Sequence, residues 1–293
     1  MTGPRAYKTA SAFRRALEDR LAASARAEGS DLQRLRRQVA FDRLLVRLFA
    51  AEPAPWILKG GYALELKLAL ARTTRDIDLG LCPSHEMPGT AALLDALQDA
   101  AARDAGDFFV FLVGEALMDL EGAPYGGTRH PVEARMDGRL FAKFHLDVGG
   151  GDVQRAPYEV VAARDWLGFA GIAAGVFPSI SREEHFAQKL HAFTMPRGER
   201  PNSRVKDLVD LVLLVDSAPM DAARLARDIR DTFARRRSHE LPEVLAAPPD
   251  FWGPVFVRLA AECGVEPDIN AQFAKVRQFV ERLMEHEGPE RTG

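Results

Sequence analysis

Residues 58–81 read LKGGYALELKLALARTTRDIDLGL, and the order of their parts decides how the chain is read. A short apolar strand, WIL, runs into the Gly60-Gly61 turn. A run rich in Ala, Leu, Glu and Lys follows, and its composition predicts a helix over 62–72. DIDLGL then alternates like a strand. In a strand, successive side chains point to opposite faces, so Asp76 and Asp78 share one face and Ile77 and Leu79 the other. Two carboxylates that close repel each other unless a cation lies between them. Hard oxygen donors suit Mg²⁺, with phosphate oxygens completing the shell. Gly60 and Gly61 let backbone amides approach a phosphate, and the helix after them turns its positive end the same way.

A third carboxylate, Asp147, lies on a second strand-like run, FHLDVGGGD. Three carboxylates on adjacent strands can hold two metal ions for in-line phosphoryl transfer. Thr74 falls two residues before Asp76 and is expected on the same face. Arg72 and Arg75 flank the entry to the strand, where either could meet a phosphate.

Working outward, helices are expected at 9–27 and 31–50, the second capped by Ser30 or Asp31. Another is expected near 89–105, with a strand at 107–114 and a Gly/Pro loop at 121–131. Two strands, 132–138 and 139–149, flank Asp137-Gly138, a hairpin signal. Beyond residue 165 the pattern turns helical, at 181–195, 203–217, 220–236, 254–263 and 267–287. The loop MPRGERPNS, 195–203, has disorder-like composition. The fold class is therefore α/β (α+β): a lobe with a small mixed sheet, then a mainly helical C-terminal lobe. Three parts are expected: N-terminal helices over 1–50 packing on the core, the core itself over 51–165, and a helical domain over 166–293.

Composition narrows the function classes. The chain has 293 residues, 47% of them hydrophobic, and a net charge of -3, so it is no uniformly basic nucleic-acid coat. The first fifty residues are an exception, with eleven basic side chains against five acidic. They form either a solvated helical face or a surface for phosphates. Arg235, Arg236 and Arg237 are a second basic cluster that could hold an RNA backbone. Two cysteines, far apart, fit free thiols in a reducing compartment. No apolar run is long enough to span a bilayer and no signal peptide is evident, so a cytoplasmic protein is expected.

A second block, EEHFAQKLHAFTMPRGERPNSRVKDLVDLVLL, spans 183–214. Ser181 and Glu184 form a capping-box pattern ahead of it. Lys189 lies beside the Phe186, Leu190, Phe193 stripe, with His185 one turn earlier. Asp207 and Asp210 stand one turn apart on a strongly apolar helix, where carboxylates need partners. Lys189 and Arg204 are the candidates.

Together the two blocks resemble the AbiEii/AbiGii nucleotidyltransferase toxins, relatives of the DNA polymerase beta superfamily, over roughly 30–215. The resemblance implies a Mg²⁺-dependent enzyme that moves NMP from an NTP to a hydroxyl and releases pyrophosphate. It casts Asp76, Asp78 and Asp147 as metal ligands, with Asp147 helping to activate the acceptor. Gly60, Gly61, Arg72, Thr74 and Lys189 become nucleotide-binding residues, and Asp207 orients Lys189 or meets the nucleotide. It implies a toxin of a bacterial toxin–antitoxin pair, an RNA acceptor such as the tRNA 3′ end, and a winged-helix antitoxin as partner. Two departures stand out: Gly61 replaces the superfamily's usual Ser, with a longer spacing to the DxD, and Lys206 stands where the family often has Arg. The rival readings are a nucleotidyltransferase for a small-molecule hydroxyl such as an antibiotic, a DxD glycosyltransferase, and a binding protein with a dead site.

Overall fold

The computed structural model describes residues 7–68, 71–119, 124–196 and 204–286. Most of the 195–203 loop, the start of the 121–131 loop and part of the expected helix at 62–72 lie outside those residues. The chain divides into two compact units. One comprises Met1–Leu66, Thr74–Gly151 and Glu159–Ser179; the other comprises Lys67–Thr73, Asp152–Tyr158 and Ile180–Gly293.

The first unit is one mixed sheet with helices. Two helices, α1 (Ala10–Glu28) and α2 (Leu32–Leu48), come first. Asp31 caps α2 by accepting from the Gln33 amide, as its place ahead of the apolar run predicts. Then come β1 (Trp56–Lys59), α3 (Gly60–Lys67), β2 (Asp76–Leu81) and α4 (Thr90–Ala101). They are followed by β3 (Phe109–Val113), β4 (Met118–Asp119), β5 (Gly127–Met136), β6 (Arg139–Gly149), β7 (Glu159–Ala162) and β8 (Val176–Ser179). The strand order is β3-β5-β6-β2-β1-β8-β7, with β4 beside β5. β2 is antiparallel to β1 and parallel to β6, so it sits near the middle of the sheet.

One face of the sheet is apolar. Ile77, Leu79, Leu146 and Val148 are fully buried there, in one core with Phe41, Leu44 and Leu93. α2 packs against β6 and α4 against β3. A buried ion cluster ties α2 to the start of β3: Arg43 and Arg47 both bond Asp107, which has no exposed surface. Burial pushes the Asp107 carboxyl up, but the two guanidiniums outweigh it and hold it below the usual range. Asp42 lies elsewhere in the same layer and accepts from Tyr62 Oη and Trp166 Nε1. That fixes the start of α3, where Tyr62 follows the glycine pair.

Four expectations are corrected. The helix from the glycine pair ends at Lys67, and residues 71–75 have no regular structure. Chain that continues the helix in sequence enters the second unit instead, where Arg72 finds a carboxylate. β5 begins at Gly127, inside the expected loop. Pro131 is tolerated there because its carbonyl accepts from Gly114 N–H; its missing donor faces the gap between β3 and β4 rather than β6. β7 and β8 extend the sheet through residues 159–179, a stretch whose texture had no strand pattern beyond 165. Last, the two-residue β4 adds a short edge pairing at Met118 and Asp119.

The second unit is helical: α5 (Arg182–Thr194), α6 (Val205–Ser217), α7 (Ala222–Arg236), α8 (Gly253–Cys263) and α9 (Ile269–His286). Ser181 caps α5 by accepting from the Glu184 amide. α6 carries the apolar face, with Leu208, Val209, Leu211 and Val212 fully buried. Among the described residues no helix is long and apolar enough to cross a membrane, and both cysteines are free thiols.

Candidate active site

The functional side chains of the first unit are set by sheet register. Asp78 pairs with Lys59 on one side and with Asp147 on the other, and Asp147 pairs with Arg129. Directly paired residues share a face, so Lys59, Asp78, Asp147 and Arg129 form one row across four strands. Asp76 and His145 pair in the next row. The face is opposite to the apolar one, since Ile77 and Leu79 alternate with the two aspartates and are buried. The expected gathering of Asp76, Asp78 and Asp147 on one face of adjacent strands is what β2 and β6 produce.

Two residues absent from the candidate set complete the group. Arg129 Nε donates to Asp147 Oδ1 at 2.8 Å and its Nη2 to Oδ2 at 2.7 Å. The same Nη2 is 3.6 Å from Asp76 Oδ2. Bonding to Asp147, together with the charges of Asp147, Asp76 and Asp78, raises the Arg129 pKa further above its ordinary value. His145 Nδ1 lies 3.1 Å from Asp76 Oδ1. The signal for His145 was its i, i+2 spacing to Asp147. Arg129 fell in a stretch read as a loop, so its face had no meaning.

Gly60 takes its place for a steric reason. Its φ is +67°, and a Cβ there would stand 1.9 Å from Asp78 Oδ2. The glycine therefore makes room for the Asp78 carboxylate. Gly61 follows it within the first turn of α3. Thr74 is buried, with its hydroxyl donating to the Asp76 carbonyl at 3.4 Å.

As a metal site, the group is uneven. Asp76 and Asp78 offer hard oxygen donors from one strand face, the chemistry a small divalent cation takes. Asp147 differs, because each of its oxygens accepts from Arg129. Among the described residues, no three His, Cys, Asp or Glu side chains converge to hold a metal ion as they stand.

The second unit gathers its own charged set. Lys189 Nζ lies 3.1 Å from Asp207 Oδ1 and 2.7 Å from Asp210 Oδ2. Arg72 bonds the fully buried Asp210 with two arms, at 2.9 and 2.8 Å. Arg204 is 3.6 Å from Asp207. Burial raises the Asp210 carboxyl, but Lys189 and Arg72 reverse that and bring it down to about 2. Burial lowers the Lys189 ammonium, yet Asp210 and Asp207 leave it above its ordinary value. The partners expected for the two α6 carboxylates, Lys189 and Arg204, are joined by Arg72. His185 is buried beside this set, and neither ring nitrogen has a hydrogen-bond partner. Burial, then the charges of Lys67 and Lys189, keeps it neutral.

The basic clusters are less open than their sequence reading. Arg236 bonds Asp152 with two arms, so Arg235 to Arg237 is not a row of three outward charges. Arg237 ends α7 in the left-handed region, at φ +49°. In the N-terminal helices Arg43 and Arg47 are buried, Arg14 donates to the carbonyls of Met136, Arg139 and Leu140, and Arg34 and Arg36 pair with Glu65 and Glu18. These five hold the fold together.

A family model described as nucleotidyl transferase AbiEii toxin, of type IV toxin–antitoxin systems, matches residues 43–284. Among solved structures, the chain is similar to MenT4, a nucleotidyltransferase toxin from Mycobacterium tuberculosis H37Rv. The identity is 20%, over 90% of this chain and 89% of that one, with a TM-score of 0.61, a likeness of fold. JHP933 from Helicobacter pylori matches at 16% identity over 88% and 95% of the two chains, with a TM-score of 0.48. No curated protein matches.

Proposed function

The chain belongs to the AbiEii family of nucleotidyl transferase toxins, of type IV toxin–antitoxin systems, and from that premise we propose that it transfers NMP from an NTP to an RNA 3′ end. It is a nucleotidyltransferase with an NTP substrate and an antitoxin partner; the acceptor, the metal and the residue roles are this proposal. The acceptor is a tRNA, whose modified 3′ end blocks translation, and the work is done in the cytoplasm. The antitoxin is a winged-helix protein.

The observation that carries the reading is the placement of Asp76, Asp78 and Asp147 on one non-core face of paired strands. Asp76 and Asp78 would hold Mg²⁺. When bound, that ion supplies positive charge to the triphosphate and its pyrophosphate leaving group. Asp147 takes the proton from the acceptor hydroxyl, and Arg129 sets the direction of its carboxylate. Gly60 keeps Asp78 in position by leaving its carboxylate room, and the Gly60 and Gly61 amides face phosphate. Lys189 and Asp207 enter through the motif resemblance, as a cation for the triphosphate and the residue that orients it. Arg72 and Thr74 have a supporting part, Arg72 by fixing Asp210 and Thr74 by tying the chain to the Asp76 carbonyl.

The test is incubation with each α-labelled NTP, Mg²⁺ and total RNA. Label on a tRNA-sized species, lost in Asp76→Ala, supports the reading. Label that appears only on a small hydroxyl compound, or transfer undiminished in Asp76→Ala, overturns it.

A further inference from the structure

Four of the five arginines on α2 have carboxylate partners. Arg34 and Arg36 pair with Glu65 and Glu18, and Arg43 and Arg47 with Asp107. Arg37 is the exception. It is half-buried, its Nε is buried without an acceptor, and among the described residues it makes no hydrogen bond or ion pair. A guanidinium keeps its charge throughout the usual pH range, so it cannot escape by losing a proton. A buried donor left without an acceptor is destabilising.

The carboxylate on this side of α2 is already taken. Arg34, Arg37 and Gln38 fall at i, i+3 and i+4 and share a helix face. Glu65 Oε1 accepts from Arg34 Nε at 3.0 Å, Arg34 Nη2 at 2.5 Å and Gln38 Nε2 at 2.8 Å. Glu65 also takes a backbone hydrogen bond from Thr74, which brings the next residue, Arg75, to the same place. Arg75 is exposed and, among the described residues, likewise makes no hydrogen bond or ion pair. Burial lowers the Arg37 pKa, and Arg75 and Arg34 lower it further against the pull of Asp31 and Glu65. Three guanidiniums thus share two carboxylates, and Asp31 is engaged as the cap of α2. An anion between Arg37 and Arg75 removes their repulsion and gives the buried Nε its acceptor.

The position sets this anion apart from the triphosphate. α2 lies on the apolar side of the sheet, where Phe41 and Leu44 share a core with Ile77 and Leu146; Asp76 and Asp78 face the other way. Arg75 directly precedes Asp76, so the pair stands at the head of β2, beside the carboxylates and off their face. We propose that Arg37 and Arg75 clamp one backbone phosphate of the RNA acceptor, upstream of its reacting 3′ end. The inference rests on the RNA-transfer reading above. A phosphodiester has two non-bridging oxygens, one for each guanidinium. A polynucleotide carries a phosphate at every residue and can place its end over the carboxylates while an earlier phosphate rests at the head of β2.

Fluorescein-labelled bulk tRNA is the probe. Its binding to the full chain, without NTP, is followed by anisotropy over about 50 to 200 mM salt. The double variant Arg37→Gln, Arg75→Gln is expected to bind about tenfold more weakly or worse at the low end, with the salt slope reduced by about one. Its melting midpoint without RNA should be unchanged or higher, because a repulsion is removed. Its binding of the four α,β-methylene nucleoside triphosphates should match wild type. A double variant that binds tRNA as wild type does at every salt concentration overturns the inference. One that loses nucleotide binding instead also overturns it and gives the pair to the triphosphate. Should Arg37→Gln fail to fold, as judged by circular dichroism, Arg75→Gln, at an exposed side chain, decides alone by the same comparison. The labelling assay separates this from the reading beneath it. Undiminished tRNA binding by the variant, with tRNA still labelled by wild type, removes the clamp and leaves the transfer reaction standing. No tRNA bound and no label on any acceptor removes both.

Discussion

Gly60→Ala offers a test in which displacement of a single carboxylate can be worked out in advance. The new Cβ would lie 1.9 Å from Asp78 Oδ2, 2.3 Å from its Cγ and 2.6 Å from its Cβ. Carbon atoms in ordinary contact stand about 3.5–4.0 Å apart, so the side chain must retreat by roughly 1 Å or more. Backbone movement is a poor escape, because Asp78 pairs with Lys59 on one side and Asp147 on the other. The φ of +67° adds strain of about 1–2 kcal/mol for any residue with a Cβ. Misplacing a catalytic group by about 1 Å costs on the order of 100-fold in rate. Gly29→Ala is the control: its φ is +63°, and nothing lies within 4 Å of the added Cβ. Both variants should melt a few degrees lower, at about 2–4 °C per kcal/mol. Only Gly60→Ala should lose transfer, measured as single-turnover incorporation of labelled NMP under saturating NTP. If Gly60→Ala transfers as fast as Gly29→Ala, the position of Asp78 does not govern the reaction and its assigned role is wrong.

Other expectations follow from the same geometry. Arg72→Ala leaves Asp210 buried with Lys189 as its remaining close cation, and breaking such a pair should cost about 3–5 kcal/mol, read by urea unfolding; an unchanged midpoint would mean the network carries no stability. Lys189→Ala should lower both transfer and stability, and a variant with full labelling would confine Lys189 to structure. Two groups should each cost stability in acid, one stage apiece, while Asp42, whose carboxyl burial raises to about 7, works the other way between about 7 and 4. His191, held neutral by burial with a pKa of about 3, gives up its contribution as pH drops from about 6.5 towards 3; Asp210, with a pKa of about 2, loses its own from about 4 towards 2. His191→Gln should flatten the first stage and Asp210→Asn the second, as judged by thermal melts across that range. Reversing Arg235 and Arg237 to Glu, with Arg236 left on Asp152, should weaken RNA labelling in a salt-dependent way while sparing nucleotide binding; equal labelling at every salt concentration would leave the α7 end without an RNA role.

What could be read from sequence follows the strength of local signals. The DIDLGL alternation and the Asp137-Gly138 turn specify β2 and the β5–β6 hairpin, and both residues of that turn have positive φ. Asp147 could be placed with the DxD pair because strand parity alone fixes its face. The order of strands could not be read, since it depends on which apolar faces find each other. β7 and β8 have four residues each, and β8 contains Pro178, so neither offers a period to count. The helix after Gly61 was overextended because Leu and Ala have high propensity and say nothing of partners. Arg72 is drawn to Asp210, 138 positions away, and no local pattern encodes that. The arginines of α2 show the same limit: charge composition reads as surface, yet Asp107 brings Arg43 and Arg47 inside.

The pairing of β2 with β6 also sets when, during synthesis, the chain becomes dangerous. Asp76 and Asp78 emerge from the ribosome about seventy residues before Asp147, and β8, which flanks β1, comes later still. Until β6 has docked, the two early carboxylates have neither their third member nor Arg129. Docking must also occur in one register, because a slip of one residue would turn Asp147 onto the apolar face. A prematurely ended chain that stops before β6 therefore carries the DxD stretch without the chemistry. For a protein proposed to block translation, this ties toxicity to chains grown past β6: the ribosome must have made β2, β5 and β6 before the site can exist.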